Sequence, residues 1–115
     1  MEPELKPNVL VVGAGAWGTA LANVFSRGGC RTYLWDKVED VISEMSLRRH
    51  HPNYCVDIRL EENVHPTLDI EYLKVNLVVL VPPFQSLRNA AEMLLEKRVN
   101  FEGVVSASKG IEKGS

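Results

Sequence analysis

The stretch Asn8–Phe25, "NVLVVGAGAWGTALANVF", decides how the rest of the chain is read. Val9-Leu10-Val11-Val12 is a short apolar run, mostly β-branched, of the kind found in a parallel strand buried on both faces. Gly13, Gly15 and Gly18 follow at the spacing G-x-G-x-x-G, with the bulky Trp17 seated among them. Ala20, Leu21, Val24 and Phe25 then recur at helical intervals, which predicts an amphipathic helix. Strand, glycine turn and helix, in that order, are the context in which this motif signifies dinucleotide binding. Gly13 admits the sharp turn off the strand, and Gly15 carries no Cβ to obstruct a pyrophosphate. Gly18 lets the helix pack closely on the sheet. The first N–H groups of the helix have no partner within it, and its dipole is positive at that end, so a phosphate settles there. A glycine-rich turn without a ligand is the alternative, and the flanking strand and helix argue against it.

Outward from this turn the chain alternates. "RGGC" supplies Gly28 and Gly29 as a helix stop. "RTYLW", Arg31–Trp35, predicts a second strand. Lys37 to Arg48 predicts a second helix through Val38, Val41, Ile42, Met45 and Leu47. Periodicity is lost from Arg49 to Glu62, a loop long enough to be functional or mobile. "NVHPT" predicts a short third strand, and Thr67 or Asp69 is expected to cap a brief helix running to Leu73. Asn76–Val81 reads as a buried strand ended by Pro82-Pro83. Ser86–Arg98 reads as a helix with Leu87, Ala90, Ala91, Leu94 and Leu95 inward. Gly103–Ser108 completes the series as a strand.

Parallel neighbours require crossovers, so this order predicts an α/β fold: a Rossmann-type, doubly wound parallel sheet with helices on both faces. Residues 1–115 are expected to form one NAD(P)-binding domain. In such a sheet the ligand occupies the crevice at the strands' carboxyl ends, where the winding reverses. The glycine turn, Asp36, Pro83 and Lys109 all fall just beyond such an end.

Asp36 lies 18 positions past Gly18, close to the separation expected of the acid that accepts hydrogen bonds from the adenosine ribose. A carboxylate there favours NAD, because it would repel the 2′-phosphate of NADP. An ammonium at Lys37 would instead meet that phosphate, so both cofactors stay open. The plainer reading makes Asp36 a helix cap. Reaction type must come from elsewhere, since a Rossmann unit alone does not specify one. Ser108-Lys109-Gly110-Ile111-Glu112 supplies the candidate. A lysine after the last strand presents its ammonium toward the nicotinamide end, where it would polarise a carbonyl or hold a phosphate ester.

Together, "GAGAWGTALA", "YLW", the proline before "FQSLR", and "SKGIE" make the chain resemble the NAD(P)-dependent glycerol-3-phosphate dehydrogenases over nearly its whole length. The resemblance implies hydride exchange between NAD or NADP and C2 of sn-glycerol 3-phosphate, interconverting it with dihydroxyacetone phosphate and supplying phospholipid synthesis. It implies that Ala16 and Trp17 line the cofactor phosphates and that Lys37 lies near the adenosine ribose. Pro83 and Phe84 would flank the nicotinamide, and Lys109 would contact both cofactor and substrate as the catalytic group. The loop "HPNYCVDIRLEEN" departs from the family's pattern, matching it at Tyr54, Leu60 and Asn63 but not at His51, Val56 or Glu61. Phe84 also replaces the small polar residue or His usual after the strand-four proline. Family members continue into a helical domain that contributes a second lysine and a hold on the substrate phosphate, and this domain is absent from the 115 residues. The expectation is dinucleotide binding without appreciable turnover by this chain alone, with a homodimer open for the full-length enzyme.

Charge and composition narrow the field. Thirteen basic and fifteen acidic residues give a net charge of −2 with no basic stripe, so neither nucleic acid nor a membrane surface is an expected partner. The N-terminal "MEPELKP" lacks the apolar region of a signal peptide, and no stretch is long enough to span a bilayer, so a cytoplasmic protein is expected. Cys30 and Cys55 then read as reduced thiols. His50, His51, Cys55 and His65 fit no metal-ligand spacing, and no metal is expected. Arg88 reads as a helix-surface arginine. Two competing functions remain open: a non-enzymatic NAD(P)-sensing module, and the cofactor domain of another hydroxyacid or ketoacid reductase.

Overall fold

The computed structural model describes residues 6–50, 59–81 and 87–107. Five strands and three helices alternate along it: β1 (Asn8–Val12), α1 (Ala16–Arg27), β2 (Arg31–Trp35), α2 (Glu39–Arg48), β3 (Val64–Pro66), β4 (Leu77–Leu80), α3 (Leu87–Glu96) and β5 (Gly103–Ser106). All strand pairs are parallel, in the order β3-β2-β1-β4-β5. The winding therefore starts at the centre, runs outward through β2 and β3, and returns to the other side of β1 with β4. The reversal falls between β1 and β4, which is where the sequence order places it.

Alternation along β1 divides the core in two. Val9 and Val11 face one side of the sheet and pack with Leu34, Val64 and Val79 under α1 and α2, whose contributions include Ala22, Ile42 and Met45. Leu10 and Val12 face the other side with Val78 and Leu80, beneath Ala90 and Leu94 of α3. Helices thus cover both faces, and β1 is buried throughout its apolar run. Each such side chain withdrawn from water contributes about 1.5–3 kcal/mol, which is why the β1 run fixes the centre of the sheet.

Four local expectations give way to tertiary packing. Val24 is exposed, because the face of α1 turned inward is that of Gly18, Ala22, Asn23 and Ser26. Leu95 is 75% exposed and Ala91 is exposed, because the face of α3 that meets the sheet is set by Ala90 and Leu94. Val38 and Leu47 are likewise exposed, leaving Ile42 and Met45 to anchor α2. No helix forms between Thr67 and Leu73. There the Thr67 hydroxyl accepts the Asp69 N–H at 3.2 Å and the Asp69 carboxylate accepts the Glu71 N–H at 3.3 Å, and Tyr72 turns to φ 61°. Such short side-chain-to-backbone bonds compete with helix formation. Cys30 carries a free thiol. Among the described residues no helix is long and apolar enough to cross a membrane.

A row of buried polar side chains on α1 holds the strand of chain that leads into β3. Asn23 accepts the Glu61 N–H at 3.0 Å and donates to the Arg59 carbonyl at 3.2 Å. One turn on, the Ser26 hydroxyl accepts the Asn63 N–H at 3.0 Å. Arg49 reinforces the same segment by donating to the Glu61 carbonyl at 2.8 Å.

Candidate functional site

The glycine turn sits at the carboxyl end of the central strand. Gly13 adopts φ 118°, a left-handed conformation that a side chain would strain. Its N–H donates to the Trp35 carbonyl at 2.8 Å, which binds the turn to the end of β2. Gly15 is the N-cap of α1, with extended backbone and no side chain to cap it, and the first turn of α1 carries no acidic residue. A Cβ built on Gly15 would meet nothing within 4 Å. The space is open, and the Trp17 indole does not fill it. A Cβ on Gly18, by contrast, would collide with the Gly13 carbonyl oxygen, so this position is closed by helix–turn packing. The three glycines therefore divide the work as the motif requires. The bare helix start presents donors and partial positive charge into an accessible hollow, and a diphosphate has the matching chemistry.

Asp36 follows β2 and turns its carboxylate back to this hollow's edge. One oxygen accepts the Ala14 N–H at 2.7 Å and the other accepts the Val38 N–H at 3.1 Å. Val38 is the N-cap of α2, so the carboxylate both fastens the glycine turn and satisfies a donor at the helix entry. A carboxylate has about four lone-pair sites, and two bonds leave acceptor capacity for a ribose hydroxyl. Capping and ribose recognition are thus compatible roles. Lys37 is exposed directly beside it, as are Ala16 and Trp17 at the head of α1.

On the other flank, the Trp17 indole N–H donates to the Ala107 carbonyl at 2.8 Å, just past β5. Trp35 makes a counterpart bond toward β3, its indole N–H donating to the Leu68 carbonyl at 3.2 Å. The structure thus brings Gly13, Gly15, Ala16, Trp17, Gly18, Asp36 and Lys37 to one rim of the sheet. Pro83, Phe84 and Lys109 lie outside the described residues. Ala107 is a site residue that the sequence does not reveal. No local signal marks it, because its role uses only a backbone carbonyl and its partner is 90 positions away.

Comparison with known proteins points the same way. Residues 8–115 match the family profile described as NAD-dependent glycerol-3-phosphate dehydrogenase N-terminus. A glycerol-3-phosphate dehydrogenase [NAD(P)+] of Azorhizobium caulinodans is 42% identical, covering 91% of this chain and 32% of the relative. The corresponding protein of Latilactobacillus sakei is 34% identical, covering 94% of this chain and 33% of the relative. The chain therefore spans about a third of the length of these curated relatives. The crystal structure of glycerol-3-phosphate dehydrogenase from Coxiella burnetii superposes over 95% of this chain and 34% of its own, with a TM-score of 0.80 at 25% identity. D-Mandelate dehydrogenase shares the fold at 15% identity and a TM-score of 0.68. By the profile it matches along nearly all its length, the chain belongs to the family of NAD-dependent glycerol-3-phosphate dehydrogenase N-termini.

Proposed function

We propose that this chain binds the diphosphate of NAD or NADP at the glycine turn and forms the cofactor half of a glycerol-3-phosphate dehydrogenase. The observation that carries the reading is the open hollow at Gly15, set at an uncapped helix start beside the sheet's reversal point. Gly13 and Gly15 shape the cradle, Gly18 lets α1 approach, and the N–H groups of Ala16 and Trp17 donate to phosphate oxygens. Asp36 holds the adenosine ribose and keeps the turn in place, while Lys37 stands where a 2′-phosphate would be met. When bound, the nicotinamide would supply hydride chemistry at C2 of sn-glycerol 3-phosphate or dihydroxyacetone phosphate. Pro83 and Phe84 flank it in this reading, and the Lys109 ammonium orients the substrate oxygen and stabilises charge on it. Cytoplasmic supply of glycerol 3-phosphate to phospholipid synthesis is the role proposed for the whole protein.

Titration of the 115-residue chain with NADH and NADPH, followed by tryptophan fluorescence, tests the binding reading. Saturable binding of at least one is expected, and binding of neither would overturn it. In a form carrying the relatives' full length, Lys109→Ala should reduce turnover by well over tenfold. A loss under about tenfold, roughly 1.4 kcal/mol of barrier, would remove Lys109 from the chemistry.

A further inference from the structure

Around the mouth of the crevice the hydrogen bonds form a closed circuit. The Val12 carbonyl at the end of β1 accepts the Val81 N–H at 2.8 Å, and the Leu80 carbonyl at the end of β4 accepts the Ala107 N–H at 2.8 Å. The Ala107 carbonyl then accepts the Trp17 indole N–H at 2.8 Å, returning the circuit to α1 and so to the glycine turn after β1. The first two links are ordinary continuations of the sheet. The third is different: it is a side chain reaching from the head of α1 past β4 to the far strand, from a residue still 45% exposed. An apolar ring of this size has no need of that position for core packing, and its N–H is spent on one carbonyl.

We infer that Trp17 is a positioning residue, a strap whose indole N–H holds the end of β5 at a set distance from the glycine turn. The strap thereby fixes the width of the crevice between the two halves of the fold. The inference rests on the dinucleotide reading and deepens it. The half of the sheet around β2 receives the adenosine, and the half around β4 and β5 receives the nicotinamide. A ligand that engages both halves benefits from a crevice whose width is set in advance, because less ordering is left to binding. A ligand that engages the diphosphate cradle and the adenosine half alone gains nothing from the strap.

The experiment compares NADH with ADP, which ends at the diphosphate, on the wild-type chain and on Trp17→Phe, by calorimetry. Phenylalanine keeps an aromatic ring beside the phosphates and removes the N–H donor. The strap predicts that Trp17→Phe weakens NADH by about fivefold, the scale of one neutral hydrogen bond, and leaves ADP within about twofold. Equal losses for both ligands, or no loss for either, would overturn it, since a residue that merely lines the phosphates treats them alike. If the wild-type chain binds neither ligand, the dinucleotide reading fails and the strap with it, an outcome distinct from the previous two. Hydrogen exchange supplies a measurement that needs no variant to fold. The Trp17 indole N–H should exchange with solvent more slowly than that of an exposed tryptophan, and exchange at the exposed rate would refute the strap.

Discussion

At the scale of single residues, the site is governed by where a Cβ is permitted. Gly15 faces open space and Gly18 faces the Gly13 carbonyl, so identical substitutions should have opposite signatures. Gly15→Ala should leave urea-unfolding stability within about 1 kcal/mol, the scale of an N-cap change, yet lower NADH affinity by tenfold or more by filling the cradle. Gly18→Ala should cost about 1–3 kcal/mol of stability through overpacking, measured in the same unfolding experiment. The carboxylate of Asp36 yields a third residue-level expectation. Because it holds the Ala14 and Val38 N–H groups, Asp36→Ala should weaken both NADH and NADPH binding through the displaced turn. NADH should suffer more, since only its ribose also loses an acceptor; parallel titrations that show NADPH losing more would contradict this. The glycine spacing was legible in the sequence because each of its roles is local. The clamp from Asp36 to Ala14 was not, since a hydrogen bond over 22 positions leaves no periodic trace.

At the scale of elements, the sequence located strands and helices well wherever apolar periodicity was strong. β2 coincides with "RTYLW", β1 and β4 fall within a residue of their expected bounds, and α1 ends at the expected glycine stop. Weak periodicity misled. Leu95 and Leu47 fit a helical stripe by spacing, yet they are exposed because the sheet meets a narrower face of each helix. The most consequential element-level feature is the polar row on α1, which replaces apolar packing with hydrogen bonds to backbone. Asn23 is 2% exposed and satisfies two backbone groups of the 59–61 segment. Asn23→Ala removes both bonds and should cost about 1–2 kcal/mol, by urea unfolding. Hydrogen exchange should accelerate at the Glu61 amide while the amides of β1 stay protected.

At the scale of the whole molecule, pH acts through the outer strand. His65 on β3 stacks at a tilt against Tyr33, with ring centroids 5.8 Å apart. Partial burial holds its pKa below the ordinary 6.5, and the positive charges of Arg31 and Arg49 push the same way. The unfolded chain therefore binds more protons than the folded one in the window between the lowered value and 6.5. Stability is full above that window and declines as pH falls through it. The melting temperature should drop between neutral and mildly acidic pH, and His65→Gln should flatten that dependence. An unchanged slope in the variant would assign the effect to other groups.

The two indole bonds at the rim have an optical consequence. Trp17 is pinned toward β5 and Trp35 toward the turn after β3, so a fluorophore stands at either end of the crevice with its N–H fixed. Reduced nicotinamide absorbs where indole emits. Energy transfer from each tryptophan, separated by replacing the other with phenylalanine, would then report which end of the cleft the dihydronicotinamide ring occupies, and so the direction in which the coenzyme lies.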